Sequence, residues 1–152
     1  MQVKSMLLAM TLLIGCAAEP LLKKTQMSQF QPKQVWTYKT RPGEEASRVV
    51  ILKIDDHDQA GKIVHIHVRG VAIQNQQASG GVTTVISHMP YAENALANSV
   101  IAVESEAESL PDFQKGYATW KRAFDKGEGG IFTIPVAEGV DIMQNALNSS
   151  SP

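Results

Sequence analysis

His65 and His67, separated by one residue, are the pair in this 152-residue sequence best spaced for chemistry. Alternate residues of a strand share a face, so both imidazoles would project to one side, where nitrogen ligands at i and i+2 can begin a zinc or copper site. A third histidine or a carboxylate would complete it, and His88 is the candidate; His57 stands apart. No His-Glu-x-x-His motif occurs, and the competing reading is a polar outer sheet face on which His65, His67, Arg69 and Lys53 meet water. The expectation is no metal and no cofactor, with His65, His67 and His88 named as the residues that would carry an ion.

Other reactive patterns fail on spacing. Asp55, Asp56 and Asp58 with Gly61 suggest a calcium loop, but with Asp56 as its start a ligand position falls on Ala60 and the closing acid on His67. A hairpin turn accounts for the run. No Gly-x-Ser-x-Gly elbow is present, and Gly127-Glu128-Gly129-Gly130 lacks the Lys-Ser/Thr of a phosphate loop. Glu44, Glu45 and the acids at 104–108 read as solvated charge. The domain is therefore expected to be non-catalytic, with no small-molecule substrate identified. Lys and Arg number 14 against 15 Asp and Glu, for a formal net charge of -1, and no basic block stands out, which argues against nucleic acid. At 43% hydrophobic and 19% charged residues, the composition is that of one packed globule.

The elements that must position these side chains follow from periodicity. Trp36, Tyr38 and Thr40 alternate with Val35, Thr37 and Lys39 up to Arg41-Pro42-Gly43, a first strand. Residues 49–54 form a second, with Val50, Leu52 and Ile54 to one side and Lys53 to the other. A polar connection over 55–62 leads into a long third strand over 63–73, with Val64, Ile66 and Val68 inward and His65, His67 and Arg69 outward. A fourth strand is expected over 82–87, a helix opening at Met89-Pro90 and running to about residue 100, and a solvated connector over 103–110. Phe113, Tyr117, Trp120 and Phe124 then recur as one helical stripe, read as core. A fifth strand over 131–136, interrupted by Pro135, and a closing helix over 137–147 complete the order. The fold class is α+β: an antiparallel sheet of about five strands with two to three helices packed on one face.

The N-terminus carries a different message. Lys4 precedes an apolar run over 6–15 that is about half of the ~20 residues needed to span a bilayer, as in the n-region and h-region of a secretory signal. The run ends in Leu13-Ile14-Gly15-Cys16, which resembles the lipobox of bacterial lipoproteins and uses the single cysteine. The resemblance implies a signal peptide over 1–15 and lipidation of Cys16 by a diacylglyceryl group and commonly a further acyl chain such as palmitate. More than one chain makes anchoring stable. Ala17 as the second mature residue implies, in a Gram-negative host, sorting to the outer membrane, facing the periplasm. Residues 16–34 read as the lipidated N-terminus and tether, 35–148 as the single domain and 149–152 as a tail. Ile86-Ser87-His88-Met89-Pro90-Tyr91, the Gly116-Tyr117-x-x-Trp120 helix and Ile131-Phe132-Thr133-Ile134-Pro135-Val136 are similar to small uncharacterised bacterial proteins, a resemblance that implies a shared fold and carries over no activity.

Together these readings lead to an expectation of an outer-membrane-anchored periplasmic lipoprotein. Its domain would bind another macromolecule, as an envelope accessory or an immunity-type protein. The alternative is a periplasmic metal-binding protein or hydrolase using His65 and His67.

Overall fold

The structure is a computed structural model and describes residues 27–149. Five strands form one antiparallel sheet: β1 (Gln34–Tyr38), β2 (Arg48–His57), β3 (Gly61–Gln74), β4 (Val82–Ala92) and β5 (Val100–Glu106), in spatial order β4-β3-β2-β1-β5. Three helices accompany them: α1 (Glu93–Ser99), α2 (Gln114–Asp125) and α3 (Val136–Ser149). The α+β class and the antiparallel sheet of five strands are as the sequence predicts, and the sheet is open. Cys16 and the lipobox lie outside the described residues. No helix among the described residues is long and apolar enough to cross a membrane.

The main core lies on one sheet face, where Val64, Ile66 and Val68 of β3 meet Val49 and Ile51 of β2, Met89 and Tyr91 of β4, Leu96 of α1 and Val136 and Val140 of α3. Thus α1 and α3 make the expected helical layer. Helix α2 lies across the opposite face, its Tyr117 and Trp120 rings 5.0 and 4.8 Å from that of His65. This corrects the expected wet face: His65 is 0% exposed and His67 8%, and only Arg69 of that trio remains exposed. Val50, Leu52, Ile63 and Phe113 are also buried outside the main cluster.

Two irregularities decide which side chains meet beneath α2. A one-residue slip turns a strand's side chains to the other face, and a bulge applies that slip locally. The register of β2 on β3 shifts between Ile51 and Lys53, so the main core takes Val49, Ile51 and partly buried Ile54 rather than the expected Val50, Leu52 and Ile54. Lys53 and Asp55 consequently join His65. The register of β3 on β4 shifts between Ile66 and Val68, whose partners are Met89 and Ile86. Both partners enter the main core, which leaves His88 on the His65 side.

Several expected boundaries move. The helix opening at Met89-Pro90 is confined to Glu93–Ser99, because β4 continues through Ala92 with Met89 and Tyr91 in the core. Pro90 is tolerated there since β4 is an edge strand. The expected connector over 103–110 begins as β5, which pairs with the free side of β1; exposure on both faces leaves no apolar alternation to read. The expected fifth strand over 131–136 shrinks to one bridge, Phe132 to Tyr91, with its amide on the Pro90 carbonyl at 2.8 Å. The hairpin connection is shorter than expected, since strand pairing reaches His57 and Gly61. Phe30, in the segment read as tether, is 1% exposed and packs edge-on against Trp36 at 5.3 Å.

The segment after β1 is clamped rather than loose. Buried Glu44 accepts from the Arg41 guanidinium and from the Ala72 amide at 2.7 Å, tying the turn to the far end of β3. Burial alone would raise its pKa, but these donors hold it below the ordinary carboxylate range. Gly70, at φ 77°, makes the close approach possible, because a Cβ there would sit 3.1 Å from the Ser47 backbone.

Candidate functional site

Under α2 four polar side chains from four elements form one hydrogen-bonded chain. Tyr117 of α2 donates its hydroxyl to Asp55 Oδ2 of β2 at 2.7 Å, and His65 Nε2 of β3 lies 3.1 Å from the same oxygen. His88 Nε2 of β4 lies 2.9 Å from His65 Nδ1. An ionised carboxylate only accepts, so His65 carries its proton on Nε2, its Nδ1 accepts, and His88 donates from Nε2. Lys53 closes the set, ion-paired with Asp55 and 3.3 Å from the Tyr117 hydroxyl.

Burial keeps both imidazoles neutral. It pulls His65 down from 6.5 to about 3, with His88 and Lys53 adding to the effect, and His88 down to about 4. The His67 pKa is also lowered, chiefly by burial. His67 stands apart from the chain, with its buried Nδ1 lacking a hydrogen-bond partner among the described residues.

Helix α2 is held on this polar patch by shape as well as by hydrogen bonds. Gly116 faces His88 so closely that a Cβ would lie 2.9 Å from His88 Cβ. Trp120 Nε1 donates to the Gly130 carbonyl at 2.8 Å. Past the helix, Gly127 at φ 72° allows the Gly127 amide to reach the Phe124 carbonyl and the Glu128 amide that of Ala123, a Schellman closure. No residue of α2 is fully buried. Phe113, just before it, is 8% exposed, while Tyr117, Trp120 and Phe124 are half-buried against histidines instead of aliphatic core.

Where α2 leaves the β2–β3 hairpin, a half-open cleft of about 260 Å³ is lined by Asp55, Asp56, His57, Tyr117, Trp120 and Phe124, among others. The Trp120 and Phe124 rings stack at 4.8 Å. His57 meets the Phe124 edge at 5.1 Å while its Nδ1 accepts the Ala60 amide at 3.1 Å. It serves the hairpin turn.

The structure thus brings together His65 and His88 of the expected trio and separates His67 from them. Both ring nitrogens of His65 are already engaged. Among the described residues no group of three or more His, Cys, Asp or Glu is arranged to hold a metal ion. Sequence reasoning missed Asp55, Lys53 and Tyr117: the aspartate reads as turn and the tyrosine as core, and the bulges that unite them leave no local signal. Compared with family models, curated proteins and solved structures, the chain matches none.

Proposed function

We propose that this protein is a lipoprotein anchored by acyl chains on Cys16 to the periplasmic side of the outer membrane, with a non-catalytic domain that binds another envelope macromolecule. An assembly accessory and an immunity-type protein both suit that placement. The observation that carries the binding role is β5. It closes one edge of the sheet, every residue after Val100 is exposed, and Ile101 and Val103 are 65% and 49% exposed. An open strand edge is a template for an added strand. Glu106 and Glu108 continue along it, both exposed, so the fitting partner is an extended protein segment with apolar residues flanked by basic ones. Membrane attachment is supported by Leu13-Ile14-Gly15-Cys16 and the apolar run before it.

The test is a photoactivatable cross-linker placed at Ile101 of the lipidated chain in an intact envelope. A control is placed at Val85, which is exposed on β4 at the opposite edge. One protein adduct from position 101 and none from position 85 is expected. No adduct from either, or the same adducts from both, overturns the binding role.

A further inference from the structure

We propose that the cleft between α2 and the β2–β3 hairpin is a binding site for a neutral saccharide. The proposal goes beyond the β5 reading and uses a different part of the molecule, since β5 lies two strands away from β2 in the sheet. Three observations on the cleft carry it.

The first is its aromatic wall. Tyr117, Trp120 and Phe124 line the cleft as half-buried rings. The C–H face of a pyranose ring packs well on such a surface, as any apolar face does. The second is charge balance. Asp55 pairs with Lys53, Asp56 with Lys62 at 2.6 Å, and Asp125 with Lys121 at 2.7 Å between Nζ and Oδ2. Each acid lining the cleft has its own lysine and the lining Lys121 its own acid, so no surplus field recruits an ion. A neutral ligand with many hydroxyls suits a rim of paired donors and acceptors.

The third observation is a preorganised acceptor. Asp55 is held by Lys53, by the Tyr117 hydroxyl and by His65 Nε2, which His88 fixes from behind. A carboxylate offers about four acceptor positions, and these three donors leave one for a ligand hydroxyl. The buried histidines thereby acquire a purpose: they orient Asp55 toward the cleft, and α2 supplies both the tyrosine that holds it and the rings beside it. Orienting an acceptor before the ligand arrives lowers the ordering cost of binding.

The test is saturation-transfer NMR on the full-length chain in a detergent without a sugar headgroup. The probes are maltotriose, cellotriose and triacetylchitotriose, with tetramethylammonium and trigalacturonate as charged probes. We expect at least one neutral trisaccharide to receive saturation on its ring C–H protons and to bind saturably. Phe124→Leu, which keeps apolar volume and removes the ring, is expected to weaken it about tenfold, the worth of one aromatic contact. Asp56→Asn serves as a second variant at an exposed position and is expected to weaken binding severalfold while circular dichroism stays unchanged. Ile101→Lys on β5 is expected to leave it intact, which separates this proposal from the proposed function. Saturation confined to a charged probe, none from any trisaccharide, or binding indifferent to both cleft variants would overturn the assignment.

Discussion

His65 and His88 are stabilising as long as they stay neutral, which fixes the sign of a pH dependence. Their folded-state pKa values of about 3 and about 4 lie below the 6.5 of an unperturbed imidazole. Between those limits the unfolded chain binds protons that the folded chain does not, so stability is complete above pH ~6.5 and declines as pH falls toward 4. Each such histidine contributes a limiting slope of about 1.4 kcal/mol per pH unit. Urea unfolding is expected to show a loss of roughly 2–4 kcal/mol between pH 7 and pH 5, the range allowing for solvent around half-buried His88. His88→Gln, which keeps an N–H donor without a titrating ring, should flatten that slope, with His65 and His67 supplying the remainder; an unchanged slope would place its source elsewhere. At Gly116 the determinant is steric. Gly116→Ala improves helix propensity by about 1 kcal/mol, yet the added methyl meets His88 Cβ, an atom that cannot swing away. A net loss of up to about 2 kcal/mol is expected, since overpacking costs typically 1–3, and a gain in the unfolding midpoint would show that α2 yields freely.

At the scale of elements, α2 is the least secured of the three helices. It has no fully buried residue and rests on a hydrogen-bonded chain, whereas α1 and α3 insert Leu96, Val136 and Val140 into the main core. Local opening follows such differences in buried apolar contact. Hydrogen exchange is expected to release the amides of α2 before those of β2 and β3, and Tyr117→Phe should widen the gap by removing a charge-assisted bond worth about 1.5–3 kcal/mol. Equal protection across α2 and the central strands would mean that the aromatic stripe alone secures the helix. The sequence pattern of α2 was fully legible as a stripe; its neighbours were not, because what it covers is polar. Strand β5 was illegible for the converse reason, since an edge strand exposed on both faces carries no period.

On the scale of the whole molecule, the proposed function rests on two separate features: Leu13-Ile14-Gly15-Cys16, which resembles a lipobox, for the proposed anchor, and the open sheet edge at β5 for the proposed partner. They are separable by experiment. Cys16→Ala is expected to abolish lipid attachment and shift the chain out of the outer-membrane fraction while leaving the folded domain unchanged. Unaltered mass and fractionation would remove the anchor from the account and leave β5 and the cleft as they stand. The same variant should still give the β5 adduct when the partner is free in the periplasm, and lose it when the partner is confined to the membrane.

From its own residues the chain determined the α+β class, the three central strands, the aromatic helix and its glycine stop, because hydrophobic period and turn chemistry are local properties that survive in one dimension. Only the tertiary structure decided what the histidines do. The bulge near Leu52 turns Lys53 and Asp55 toward His65, and the bulge between Ile86 and Met89 turns His88 the same way. A one-residue shift in pairing is set by how two strands and two cores fit together. No alternation within a single strand records it, so His65, expected in water, lies buried beneath α2.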